Sequence, residues 1–453
     1  MDFDLGIPTP EAAARLYEQM DVQTATICYR WAIPITGMEA ARTALIANAG
    51  AQNGDLIRVQ GYRDVSTLLG SNVTTPYLFA WFDLSEGPIT LDYPAGATAG
   101  SLIDWWDRPI IDLGIPGPDA GNGVAYTLTG PNRPPAPDKT LQSRTNRVLL
   151  FCRILEPDPQ KADAIFAATR VHQNGRATTL RRFKSQGPLT TLAHPTGPAY
   201  WQSLSAALQT TPTEPRDQFF TAMLASLGAH PYAPSQHQRQ ILSQAATLAE
   251  AMLRAEAYAK RAPEMRYRPD TTWEYLIPPD FDVDQTRPQF EARTAFFYEV
   301  TGASHAVLTR KPGLGSAYLT AYRDTNGRAF NGGHTYRLQV PPNPPAKLFW
   351  SVTLYDIETR CLIQNPAERA DRSSRDNLIR NPDGSTDLIF APTAPAGLEP
   401  NWIPTTPNRA WYAYFRLFGP LEPYFDRTWH LPDIISSSTS SPHSAPQPLG
   451  SAP

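Results

Sequence analysis

The chain has 453 residues, of which 18% are charged, and a net charge of −3; single cores stop growing at about 250–300 residues, so two or three domains are expected. The weak charge leaves no large basic surface, which excludes nucleic acid and anionic membrane as expected partners. No apolar run reaches the ~18 residues of a membrane span, and the first residues carry acids where a leader has Lys or Arg, so the chain reads as soluble and cytoplasmic.

Residues 1–55 read as a helical segment: Thr9 is placed to cap, Pro10 to occupy the first helical position and Glu11 to follow it, while Pro34 must break the helix. From 56 to 157 the pattern changes to short alternating runs, "DLIRVQ", "PYLFAWFDL", "ITLDYP", "VAYTLTGP" and "RVLLFCRIL", separated by turn residues, and predicts a first β-sandwich. Residues 158–289 are mainly helical, the clearest stripe being Ile241, Ala245, Leu248, Met252 and Ala255. Strands resume over 290–435, and residues 436–453 have the composition of a disordered tail. The 46 prolines, near twice the usual ~5%, fit many short strands joined by proline-bearing loops. Cys28, Cys152 and Cys361 are far apart in apolar contexts and read as buried thiols.

The two β regions echo each other. "YLFAWFDL" (77–84) and "LFWSVTLYDI" (348–357) both end in Asp and an aliphatic residue, and "TNRVLLFCRIL" (145–155) and "PNRAWYAYFRLFGP" (407–420) both begin Asn-Arg and carry a second Arg. The expected fold is therefore mainly β with helical segments, an α+β chain of two related jelly-roll-like sandwiches around a helical middle. A buried Asp–Arg pair in each sandwich, Asp83 with Arg153 and Asp356 with Arg416, is a corollary, and a structural one before a catalytic one.

These same residues carry a resemblance. The stretch 336–434, with Phe-Trp-Ser-x-Thr-x-Tyr-Asp at 349–356, Asn381-Pro382-Asp383-Gly384-Ser385, Asn401-Trp402-x-Pro404 and Arg416-Leu417-x-Gly419-Pro420, resembles the domain of unknown function numbered 1214. "TTPYLFAWFDLSEGPITLDYP" and "SRTNRVLLFCRIL" resemble the partner domain numbered 1254, except that Val73 and Thr74 stand where its Asn-x-Asp-Thr-x-Tyr motif has an acid. The resemblance implies two sandwiches with a helical segment between them and implies no reaction.

Nucleotide-loop, nucleophile-elbow and His-based zinc motifs are absent from the sequence, and no cofactor or metal is expected. Asp280, Asp282, Asp284 and Glu291 have calcium-loop spacing, but Gln285 stands where that loop needs Gly, so this is read as an acidic linker. The positive evidence is a face of aromatics and hydroxyls: Ser351, Thr353 and Tyr355 alternate on one strand and Tyr412, Tyr414 and Arg416 on another. The motif residues Asn401 and Trp402 and the arginine-rich loop with Arg369 and Arg372 complete the candidate ligand contacts. The leading expectation is a protein that binds a small polar or aromatic molecule, or a glycan, in a cleft of the C-terminal sandwich. The alternatives are a hydrolase or metabolite-tailoring enzyme using Tyr355, Asp356 and Arg416, and a structural or virion-type protein; the oligomeric state is open, and a dimer fits.

Overall fold

A computed structural model describes residues 2–132, 140–185, 193–287 and 289–437. Two helices open the chain, Pro10–Trp31 and Ile33–Ala49. The Thr9 hydroxyl accepts the Ala12 N–H at 3.2 Å and caps the first. Pro34 has no N–H to give the preceding turn, so the chain breaks at Ala32 and restarts with Pro34 in the opening turn of the second helix.

The first β unit consists of two sheets enclosing a core. One runs in the order 180–182, 56–59, 77–83, 147–154, 98–104, 109–114, and the other 176–177, 170–173, 89–93, 124–129, 140–142. Alternate residues of the central strands, Leu78, Ala80 and Phe82 with Val148, Leu150 and Cys152, fill that core against Ile89 and Leu91 of the second sheet. The unit extends beyond the expected boundary at 157. After the helix Pro159–Ala168, Arg170–Gln173 pairs with Ile89–Tyr93, and Leu180–Arg182 lies parallel to Leu56–Val59, so these strands complete the first unit's sheets.

The helical layer follows with Pro198–Thr210, Gln218–Ser226, Gln236–Tyr258 and Phe290–Glu299. The long helix starts at a capping box of Ser235 and Gln238. Its buried stripe is Ile241, Ala245, Ala249, Leu253 and Ala257, at strict four-residue steps; Leu248 and Met252, expected inside, are 40% and 37% exposed. Among the described residues no helix is long and apolar enough to cross a membrane. Cys28, Cys152 and Cys361 are buried and none is in a disulfide.

The second β unit has sheets in the order 274–275, 316–321, 410–420, 346–356, 371–373 and 402–404, 386–391, 336–340, 435–436. In each unit the strand ending in Asp pairs antiparallel with the strand carrying the second Arg, which is the repeat expressed as structure. The expected Asp–Arg pairs do not form. Antiparallel pairing places the end of one strand opposite the start of its neighbour, so Asp83 faces Arg147 and Asp356 faces Trp411, while Arg153 faces Tyr77 and Arg416 faces Ser351. Ile435–Ser436 is paired in the sheet, and the remainder of the expected tail, from 438, lies outside the described residues.

Candidate functional site

The outward faces of the two central strand pairs meet across a seam. From the first unit come Tyr77, Phe79, Phe151 and Arg153, and from the second Tyr318, Tyr355, Tyr414 and Arg416. The helix Phe290–Glu299 and the loop after it close one side of the space between them.

Arg416 is 1% exposed and fully engaged. It donates to Thr353 Oγ1 at 2.9 Å, to the Gly70 carbonyl at 2.7 Å, to the Ser71 carbonyl at 3.2 Å and to the Tyr355 hydroxyl, which itself donates to the Ser71 carbonyl. Its guanidinium lies 5.1 Å from the Tyr414 ring centroid and 5.5 Å from those of Tyr355 and Tyr318. The first unit's loop can present two carbonyls here because position 70 is glycine: its φ is +61°, and a Cβ would meet Val300 Cγ2 at 2.8 Å.

Arg153, 7% exposed, has the equivalent place in the first unit but far fewer partners. It gives Nη1 to the Tyr318 hydroxyl at 3.0 Å and Nη2 to Ser316 Oγ at 3.4 Å, and its Nε has no partner among the described residues. Neither arginine is paired with a carboxylate among the described residues; their acceptors are hydroxyls and carbonyls. An acid close to Arg416 is Asp371, next to Thr353 across the strands, whose Oδ2 accepts the Thr74 hydroxyl at 2.9 Å. Burial pushes its carboxyl up to about 6, even though Thr74 and the Arg416 charge favour ionisation. Thr74 thus joins the two units at the place where the 1254-like motif has an acid.

A cavity of about 80 Å³ lies in the seam, lined by Arg153, Tyr77, Tyr318 and Tyr414 with Phe79, Phe151 and Val300 among its apolar walls. Burial alone would push the Tyr318 phenol up, but the charges of Arg153 and Arg416 outweigh it and pull that phenol below the usual tyrosine value. Among the residues that line the cavity, Arg153 is the charged one.

The structure brings together Thr353, Tyr355 and Arg416, with Ser351 directly opposite Arg416, buried, its hydroxyl without a partner among the described residues. Tyr414 donates to Glu299 Oε2 at 2.7 Å, and the Tyr412 ring lies 5.6 Å from that of Tyr258 while its hydroxyl donates to the Arg360 carbonyl at 3.4 Å, so both rings contact the helical layer. Asp356 is not brought to this cluster. Its Oδ1 accepts the Glu358 and Thr359 N–H groups and its Oδ2 the Arg409 Nε at 2.7 Å, so it caps the turn that ends the strand. Asn401 bonds the Ile379 N–H and the Ile379 and Asp387 carbonyls, and Trp402 Nε1 the Ala391 carbonyl, so both motif residues fix loops. Arg372 donates to the Glu399 carbonyl at 3.2 Å, and Arg369 is held through its backbone by Asn365; neither lines the cavity. The expected cleft of the C-terminal sandwich is closed by the first unit, because Ser71 and Gly70 cover the Arg416 face.

The residues that sequence reasoning missed are Tyr77 as a partner of Arg153, and Tyr318. The first is legible once the repeat is aligned in antiparallel register, while "GSAYLTAY" carries no mark that singles out Tyr318. A larger groove of about 520 Å³, between Met252, Lys260 and Phe290, is less suited to a ligand because its charges are satisfied: Lys260 bonds Tyr322 and Glu274, and Glu256 bonds Thr294 and Arg30. In the acidic linker, Asp282 accepts the Arg287 N–H at 2.7 Å and Asp284 lies 3.1 Å from His305 Nε2.

Among solved structures, the chain is similar to the crystal structure of the VPA0106 protein from Vibrio parahaemolyticus, with 16% identity, a TM-score of 0.56, and 92% of this chain and 100% of that chain covered. A crystal structure of an uncharacterised protein from Burkholderia cenocepacia matches at 12% identity with a TM-score of 0.41, over 90% of this chain and 94% of that one. No curated protein matches the chain. Residues 56–178 match the family model described as a protein of unknown function, DUF1254, and residues 315–422 that described as a protein of unknown function, DUF1214. The chain joins these two family domains in that order, and each coincides with one half of the seam.

Proposed function

We propose that this protein binds a small molecule in the seam cavity between its two β units. The observation that carries the reading is Arg153. A guanidinium buried at 7% exposure, without a carboxylate partner and with its Nε idle, lines a cavity of about 80 Å³. Leaving such a group unpaired costs several kcal/mol unless something enters to compensate it. The volume is too small for a glycan, which narrows the earlier expectation, and Asp356, the acid an enzyme reading relied on, is committed to a turn.

Native mass spectrometry of the purified chain, followed by a thermal-shift screen of small metabolites, tests this. A retained small molecule, or a set of compounds that raise the melting temperature in the wild type but not in Ala41→Leu, which narrows the cavity wall, is the expected result. No adduct and no stabilising compound would overturn it.

A further inference from the structure

We infer that the ligand is a small organic carboxylate, its oxygens held by Arg153, Tyr77 and Tyr318 and its short apolar part by Phe79, Phe151 and Val300. This rests on the seam cavity being a binding site and goes further by assigning the chemistry of what fills it.

The donor and acceptor ledger of the cavity is one-sided. Tyr77 Oη already accepts two N–H groups from Asn72, at 2.9 and 2.8 Å, so its own proton is left to give, and no acceptor takes it among the described residues. Tyr318 Oη accepts from Arg153 and also meets the Ser316 hydroxyl, which can take its proton or yield it to a stronger acceptor. Arg153 Nε adds a second donor without a partner among the described residues. Two unpartnered donors and the guanidinium charge belong to side chains that line the cavity, and the lining supplies no carboxylate in return. A hydroxyl or amide ligand would leave the charge uncompensated, and an ammonium would be repelled; a carboxylate accepts from several donors at once and neutralises the guanidinium.

The rest of the wall is apolar, so the ligand has a hydrocarbon part. An engineered cavity of about 150 Å³ admits benzene with its six non-hydrogen atoms, which by proportion limits this ligand to roughly three or four non-hydrogen atoms, the size of acetate. Tyr318 also lines a second cavity of about 50 Å³, together with Thr309, Arg310 and Phe425. The exposed Arg310 gives that lining a positive charge as well, the sign that draws in an anion.

Isothermal titration of the full chain with acetate, acetamide and ethylamine tests the inference without any variant. The expected result is that acetate binds about ten-fold or more tightly than acetamide, as a charged hydrogen-bonded group warrants, while ethylamine does not bind. Arg153→Met should abolish that preference and Arg153→Lys should retain part of it. If acetamide binds as well as acetate, the site exists but the carboxylate assignment is wrong. If none of the three binds and the metabolite screen is also empty, both the assignment and the site fall.

Discussion

Arg153 and Arg416 stand on matching central strands of two related β units, both are buried, and they are used in opposite ways. Arg416 has its donors distributed over Thr353, Tyr355 and the carbonyls of Gly70 and Ser71, and it ties the second unit to a loop of the first. Arg153 has two hydroxyl partners and an Nε without one among the described residues, and its side chain lines a cavity. The repeat explains why both units present an arginine to the seam. The difference in partners explains why only one of them is available to a ligand.

Substitution of each arginine by methionine is the largest way to break this comparison. Arg416→Met leaves several buried acceptors without donors, at about 1–3 kcal/mol each, so a loss of about 3 kcal/mol or more is expected from the urea midpoint. Arg153→Met removes a buried charge that has no counter-ion, and stability should stay within about 1 kcal/mol of the wild type or exceed it. Equal losses in the two variants would mean that the two arginines play the same structural part.

Gly70→Ala sharpens the same contrast from the other side of the seam. The position has φ +61°, and the new methyl would meet Val300 Cγ2 at 2.8 Å, so the loop must move and withdraw the carbonyls that Arg416 uses. Left-handed strain and the clash together suggest a loss of about 2 kcal/mol. A wild-type midpoint would show that this loop is not held by Arg416.

How much of this was legible in the sequence follows from which interactions are local. The break at Pro34, the cap at Thr9, the strand periodicity and the echo between the units are set by neighbouring residues, and they were readable. The alignment of the repeat by its Asp and Arg ends suggested ion pairs, but antiparallel register separates those ends, so the pairs were misread. The cluster of Thr353, Tyr355 and Arg416 was found because the three residues share one face of adjacent strands. Its closure by Ser71, and the approach of Tyr318 to Arg153, depend on contacts far apart in the chain: Arg153 and Tyr318 are 165 residues apart. On the long helix the expected stripe departs from the buried one at Leu248, Met252 and Ala255, because the buried face continues from Ala245 through Ala249, Leu253 and Ala257.

The helical layer supplies a buried charge that does have partners. Glu250 accepts from the Tyr29 hydroxyl at 2.6 Å and lies 2.9 Å from His194 Nε2. Burial alone would push its carboxyl up, but the His194 contact and the Tyr29 hydrogen bond outweigh it and hold it at about 2, against an ordinary 4.5. A carboxyl depressed on folding contributes stability that is complete above about pH 4.5 and disappears as the pH falls toward 2. The wild-type melting temperature should therefore fall over that window, and Glu250→Gln should flatten the fall. A profile unaltered by the substitution would show that Glu250 is not held ionised by these partners.

The smallest effect is expected at Asp356, which distinguishes the seam from the end of the strand that the sequence made prominent. Asn at 356 keeps an oxygen for the Glu358 and Thr359 N–H groups and loses only the ion pair to Arg409, whose side chain is 44% exposed. A partly solvated pair of this kind contributes about 0.2–1 kcal/mol. Stability should drop by no more than that, and acetate affinity should not change, because Asp356 does not line the cavity. A variant that folds normally yet binds acetate more weakly would move the site toward that turn, and the contrast between Arg153 and Arg416 would no longer locate it.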